Sequence, residues 1–203
     1  MDNLENLRIK DKYNKMARSY DSVIDRLVPG AWRRKTASFA YGSVLEVGIG
    51  TGSNLSYYST ECQEILGVDL SCEMLRRAIE KKSLCKVPVH LKMMDVQKMS
   101  LESGIFDSVL ASFVFCNVPD PEQALLECCR VLKPGGRLIL LEHMSSDKMI
   151  LKRLMNWLDP LTMKLLGDHI NRNTLSLVVA TGFNTHVVEN LFGDIVRLIV
   201  AER

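Results

Sequence analysis

The chain has 203 residues, of which 25% are charged and 47% apolar, and a formal net charge of +2. That length supplies one sizeable core and is short for two independent domains, and so small a charge excludes the basic footprint expected of a nucleic-acid-binding protein. No stretch reaches the about 18 uninterrupted apolar residues of a membrane-spanning helix. Residues 1–10 lack the apolar centre of a secretion signal, so the expected setting is cytoplasmic. The six cysteines form no Cys-x-x-Cys pair and are expected as buried, reduced thiols rather than a zinc or disulfide framework.

Tyr13, Met16, Tyr20, Val23 and Leu27 recur at three- or four-residue steps, which predicts a helix over 13–27 with a break near Ser19. Pro29-Gly30 punctuates it, and a second helix is expected over 32–39. The period then changes. Short apolar runs at 43–47, 65–68, 89–93, 106–115 and 137–141 predict buried strands, the last following the turn Lys133-Pro134-Gly135-Gly136. Helical segments near 54–58 and over 72–82 and 121–132 lie between them. Such alternation implies parallel strands joined by right-handed crossovers.

The tail departs from that rhythm. Residues 148–166 are apolar and basic and are expected to break at Pro160; a short helix over 174–180 follows. The runs 184–189 and 195–201 are separated by too little chain for a crossover helix, so they pair as a hairpin. The expected fold is α/β: a doubly wound, Rossmann-like, seven-stranded sheet, mostly parallel with an antiparallel last strand and helices on both faces. It forms a single domain over 1–203, with a helical lid at 1–40 and a helical insertion at 144–173 over the acceptor site.

The first strand runs into Glu46-Val47-Gly48-Ile49-Gly50-Thr51-Gly52. A strand that turns sharply needs residues free to adopt positive φ, and missing side chains let a ligand lie on the backbone. A helix beginning after the turn would offer free N–H groups, at the point where ligands bind in doubly wound sheets. Dinucleotide enzymes space their glycines G-x-G-x-x-G, whereas Ser53 stands where that pattern has glycine. The acids discriminate further. Glu46 can receive an amine, Asp69 at the second strand end can accept ribose hydroxyls, and Asp95 after the third can accept an adenine amino group. An aminoacyl nucleoside suits that set better than a pyrophosphate.

These residues resemble motifs of the class I S-adenosylmethionine-dependent methyltransferases, in the branch known as type 11. Val44 through Gly52 resembles the first motif, Gly67-Val68-Asp69-Leu70-Ser71 with Met74-Leu75 the second, and Phe106-Asp107 through Asn117-Val118 and Arg130 through Gly136 those downstream. The resemblance implies S-adenosylmethionine as cofactor, leaving as S-adenosylhomocysteine. Glu46, Gly48 and Gly50 would hold its methionine part, and Gly52 and Asn54 of the same turn would count among the cofactor-binding residues. Asp69 would take the ribose, Leu70 and Met74 would flank the adenine, and Asp95-Val96 would read its edge. Ser112 and Phe113 would lie beneath the sulfonium, and Tyr20 would close over the cofactor.

Methyl transfer needs orientation and exclusion of water more than a side-chain catalyst, so the acceptor is weakly encoded. His143, ending the fifth strand, is the candidate base or orienting group. Asp168-His169 and Asn171-Arg172 could join it if 148–166 folds over the sheet. No metal is expected, since nothing in the spacing of His143, Asp168 and His169 demands one. The segment 148–166 is expected first as a helix packing over the sheet, and its functional alternative is the wall of a lipophilic pocket or a membrane-surface contact. The acceptor is expected to be small and lipophilic. The chain resembles quinone-biosynthesis C-methyltransferases, phosphatidylethanolamine N-methyltransferases and thiol methyltransferases, with Glu142-His143 and Gly167-Asp168 nearest the thiol group. A nicotinamide-dependent oxidoreductase and a non-catalytic S-adenosylmethionine sensor are the competing readings.

Overall fold

A computed structural model describes residues 2–165 and 170–203. The strands are β1 (Gly42–Val47), β2 (Cys62–Asp69), β3 (Val89–Met93), β4 (Phe106–Ser112), β5 (Leu132–His143), β6 (Asn184–Phe192) and β7 (Val196–Glu202). They form one seven-stranded sheet in the order β3-β2-β1-β4-β5-β7-β6. The first five strands are parallel, and β7 runs antiparallel to both β5 and β6, between which it inserts. The expected sheet, reversed strand and closing hairpin are all present.

The helices are α1 (Asp2–Leu27), α2 (Gly30–Ala37), α3 (Cys72–Lys81), α4 (Pro121–Val131), α5 (Met149–Leu165) and α6 (Thr174–Ala180). Successive strand residues point to opposite faces, and each face has its own core. Leu45, Val47, Val109 and Leu138 pack with Leu125 of α4 and Val178 of α6, whereas Val44, Ile65, Leu110 and Ile139 pack with Ala37 of α2 and Leu75 of α3. Burial on both faces is why the parallel strands read as unbroken apolar runs.

Several boundaries differ from expectation. α1 begins at Asp2 and passes Ser19 unbroken, because the Ser19 hydroxyl donates back to the Met16 carbonyl at 3.3 Å instead of ending the helix. The segment after the glycine turn is a single 3-10 turn, Leu55–Tyr57, with no α-helix. β4 stops at Ser112, since the chain turns left-handed at Phe113. β5 starts at Leu132, and a register irregularity opposite 106–108 absorbs the Pro-Gly-Gly turn. α5 continues through Pro160, whose missing N–H removes one helical bond without ending the element. The cysteines are free, but Cys72 is exposed at the start of α3 and only Cys62, Cys116 and Cys128 are buried. Among the described residues, no helix is long and apolar enough to cross a membrane.

Candidate active site

The residues that follow β1 to β4 at one edge of the sheet build two adjoining cavities. The larger encloses about 760 Å³ of atom-free space, part of it open to solvent, and the smaller about 340 Å³. Tyr20, Gly48, Gly50, Ser112 and Phe113 line both.

The glycine turn joins them. Gly48 has φ +62, and a Cβ there would stand 2.4 Å from Val114 Cγ2. A Cβ on Gly50 would meet only the Gly48 carbonyl, at 3.9 Å, so the chain leaves an open cradle at that point. Gly52 does not belong with them. It lines neither cavity, and a Cβ there would lie 2.8 Å from Leu55 Cδ1 and 3.3 Å from Ala78, so its role is to let the turn pack on α3. With only a 3-10 turn beyond it, the expected helix N-terminus is missing, and the Gly50 N–H donates instead to Asp69 Oδ2 at 2.9 Å.

The smaller cavity is polar. Glu46 is buried, with Oε1 accepting from Asn54 Nδ2 and Oε2 from the Tyr58 hydroxyl, each at 2.8 Å. Burial pushes the Glu46 carboxyl up to about 7 despite these donors and the nearby Arg33 guanidinium. Asn54 also donates to Ser112 Oγ at 3.1 Å and accepts from Arg33 Nη1 at 3.1 Å. Arg33 is 6% exposed. Its place in the site was hidden in the sequence by Arg34 and Lys35, which make the run look like a solvated helix face. A carboxylate and a guanidinium side by side complement the ammonium and carboxylate of a free amino acid.

The larger cavity collects the remaining strand ends. Asp69 Oδ1 accepts from the Ser71 N–H at 2.8 Å. Burial raises its carboxyl above the ordinary value, against backbone N–H groups of Ser71, Gly50 and Leu70. Leu70, Met74 and Val96 line this cavity, and Met74 is held by the Ser71 side chain capping α3 at 3.2 Å. Asp95 Oδ1 accepts from the Gln97 N–H at 2.9 Å and Oδ2 from Asn6 Nδ2 at 2.7 Å. Phe113, at φ +56, is the only non-glycine among the described residues with positive φ, a conformation costing about 1–3 kcal/mol. Glu142 holds it there: fully buried, its Oε1 accepts from the Val114 and Phe115 N–H groups at 2.7 and 3.0 Å.

α1 roofs the larger cavity with Asn6, Ile9, Lys10, Tyr13 and Tyr20. It is tied to each strand-end loop in turn. Besides Asn6 on Asp95, Asn14 Oδ1 accepts from Ser71 Oγ at 2.6 Å, and Asp21 accepts from Thr51 Oγ1. Burial alone would raise the Asp21 carboxyl, but Thr51 and Lys81, 2.9 Å away, hold it below its ordinary value. Residues 6–10 carry too little apolar periodicity for the sequence to place them here. Tyr13 and Tyr20 sit edge to face, 6.3 Å between centroids.

The acceptor-side candidates fare differently. His143 lines neither cavity; its ring centroid is 6.3 Å from that of Phe113. Asp168 and His169 lie outside the described residues. Arg172 donates to the carbonyls of Phe115 and Val118 and so staples the loop after β4. No described residue of 144–173 lines either cavity, so the wall expected from this segment is supplied by α1.

The residues fit the expected cofactor. An open backbone cradle joins an apolar lobe edged by Asp69 and Asp95 to a polar lobe holding Glu46 and Arg33, as a nucleoside with an amino-acid tail requires. Comparison with known proteins agrees. The family described as methyltransferase domain matches residues 45–140. A phosphatidylethanolamine N-methyltransferase of Cereibacter sphaeroides is 40% identical over 121 residues, 57% of this chain and 59% of that protein, so the match spans about three fifths of that relative. A demethylmenaquinone methyltransferase of Lactiplantibacillus plantarum is 30% identical over 171 residues, 78% of this chain and 72% of that one. The crystal structure of an S-adenosylmethionine-dependent methyltransferase of Thermotoga maritima superposes with a TM-score of 0.69 at 18% identity, covering 95% of this chain and 98% of that one, which carries the fold. The chain belongs to the class I S-adenosylmethionine-dependent methyltransferases.

Proposed function

We propose that the protein methylates a small lipophilic acceptor, with the headgroup amine of phosphatidylethanolamine as the leading candidate. The observation that carries this reading is the wall of the larger cavity: Tyr13, Ile9 and Val118 with Lys10 beside them, meeting Tyr20 and Phe113 where the expected cofactor would end. Aromatic faces attract an ammonium or methylammonium, Lys10 suits a phosphate, and the apolar groups suit a lipid chain. The relative that is 40% identical bears that activity in its name.

S-adenosylmethionine supplies an activated methyl on a sulfonium, and the rest is positioning. Glu46 and Arg33 fix the amino-acid tail, Asp69 and Asp95 fix the nucleoside, and the left-handed Phe113 presents its ring between the two cavities. α1 excludes water from above. Holding an acceptor nitrogen in line with the methyl group is worth about 7–11 kcal/mol of barrier. No residue of the cavity need take part covalently. His143, stacked toward Phe113, acts as a positioning residue in this scheme.

A quinol ring is the second reading, favoured by the relatives of greater coverage, which are named demethylmenaquinone methyltransferases. The test is incubation of the purified chain with methyl-labelled S-adenosylmethionine and, separately, phosphatidylethanolamine vesicles, a demethylated quinol and an alkyl thiol. Label in monomethyl-phosphatidylethanolamine is the expected result. Label confined to the quinol or the thiol overturns the amine reading. Binding of NAD in place of the adenosyl ligand would overturn the catalytic assignment altogether.

A further inference from the structure

α5 leaves the sheet just after β5, at the edge that carries the cavities, and it is clothed on one side only. Met155 and Asp159 turn inward, at 6% and 8% exposed, and Asp159 Oδ1 accepts from the Ile170 N–H at 2.8 Å. On the opposite side Ile150 is 86% exposed, Leu154 48% and Trp157 76%. Their spacing of four and three residues makes one continuous apolar stripe along the helix. Met149, 67% exposed, extends it. A soluble surface rarely leaves a tryptophan and an isoleucine so bare in one row.

The charges around the stripe have a single sign. Lys148, Lys152 and Arg153 are exposed, and their side chains make no hydrogen bond or ion pair with any described residue. Asp159, the only acid in the described part of α5, is buried, and the nearby Asp147 is paired with Arg197. An apolar stripe with a tryptophan and flanking unpaired bases complements the headgroup boundary of an anionic bilayer: hydrocarbon accepts the stripe and lipid phosphates the bases. Stacking this stripe on its own copy would bring more bases to the contact and no acid to meet them.

We infer that α5 is a membrane-docking helix that seats the protein on an anionic lipid surface through Ile150, Leu154 and Trp157, with Arg153, beside the stripe, on the phosphates. Arg172, further along the chain, bonds the Val118 carbonyl in the loop that lines the larger cavity. The inference concerns a surface and does not depend on which acceptor is methylated.

The test is co-sedimentation of the full chain with vesicles of phosphatidylcholine alone and of equimolar phosphatidylcholine and phosphatidylglycerol. A Trp32→Phe background lets Trp157 fluorescence report insertion. Binding to the anionic vesicles is expected, with a blue-shifted Trp157 emission and weakening at high salt. Trp157→Asp and, separately, Ile150→Asp should each weaken it about tenfold or more, given what one buried apolar side chain contributes. Arg153→Glu should sharply reduce the preference for anionic vesicles, and Lys152→Glu, on the far side of the helix, should do so much less. Leu4→Asp, equally exposed but on α1, should leave binding unchanged. The second aspartate variant guards against one that fails to fold, and both should keep the wild-type Tm. Three results overturn the inference: no binding to either vesicle, binding indifferent to the α5 variants, or a wild-type self-association that Trp157→Asp removes.

Discussion

Affinity for S-adenosylmethionine should rise steeply as pH climbs toward neutrality, and Glu46 should be the reason. Its carboxyl, ordinarily near 4.5, is pushed by burial to about 7 in the ligand-free protein. A ligand ammonium beside it favours the ionised form, so binding must first expel the proton. The ionised fraction is about one thirtieth at pH 5.5 and about one half at pH 7, which predicts an affinity about sixteenfold higher at the upper end. Over this window an α-amino group, with a pKa of about 7.7–8.0, stays protonated, so the slope belongs to the protein. Titration calorimetry in buffers of different ionisation enthalpy should find close to one proton released at pH 5.5 and about half a proton at pH 7. Stability of the ligand-free protein has the opposite trend. A carboxyl raised in the folded state contributes stability fully present below about 4.5 and lost as pH rises through about 7, worth about 3 kcal/mol for a shift of that size. Glu46→Gln should flatten both profiles. A flat affinity profile in the wild type, or an unchanged slope in Glu46→Gln, refutes the argument; the latter would move the titration to Asp69, the other carboxyl lining the cavities whose burial raises it.

Alanine at Gly50 and at Gly52 should separate binding from packing. Gly50→Ala, facing open space, should cost about 1–2 kcal/mol of stability for its left-handed φ but lose most cofactor affinity, whereas Gly52→Ala, pressed on Leu55 and Ala78, should lower Tm more and bind normally once folded; the reverse order in thermal melts and calorimetry would invalidate the two assignments. Glu142→Leu removes the acceptor from two N–H groups and should cost about 2–4 kcal/mol in urea unfolding while Phe113 leaves its left-handed conformation; wild-type stability would show that the carboxylate is not what holds it. His143→Ala should bind S-adenosylhomocysteine normally and turn over slowly, with activity restored by His143→Phe through the ring contact to Phe113; a variant rescued by added imidazole but not by Phe would make His143 a proton acceptor instead.

The strands and the acids at their ends were legible because both follow from local rules. Two-sided burial writes Val44, Leu45 and Val47, or Leu138 to Leu141, as continuous apolar runs, and a parallel sheet brings their ends to one edge. Glu46, Asp69 and Asp95 therefore meet at the cavities although the first and last stand 49 positions apart. Gly52 misled because glycine serves ligand access and tight packing with the same residue, and only the neighbour across the gap decides which. The first turns of α1 were invisible for another reason. Leu4 and Leu7 are exposed, so no apolar stripe announces the helix, and what docks it is Asn6, Asn14 and Asp21, residues that sequence patterning assigns to solvent. Arg33 and Arg172 escaped likewise, since a buried arginine is recognised by what it touches and not by its neighbours in the chain.

The way α1 is fastened bears on how the cavities fill. It lines one wall of the larger cavity with Asn6, Ile9, Lys10, Tyr13 and Tyr20, so a cofactor seated there lies against it. Had α1 been held there by a full apolar face, lifting it would expose hydrocarbon at about 25 cal/mol for each Å², and release would be slow. Its ties at the three strand ends are instead hydrogen bonds at Asp95, Ser71 and Thr51, worth about 0.5–1.5 kcal/mol net for the neutral Asn14 pair and about 1.5–3 kcal/mol for each of the two that end on a carboxylate, because water replaces the lost partner. Such a roof opens at modest cost. Opening would also be selective, since Asp95, which the family resemblance would set against the adenine edge, is the carboxylate Asn6 occupies. Ligand and roof compete for the same carboxylate at one end while Asp21 and Lys81 keep the other end fastened. Opening from the Asn6 end, hinged near Asp21, would leave the polar lobe around Glu46 and Arg33 in place, ready for the amino-acid tail, and admit the nucleoside last.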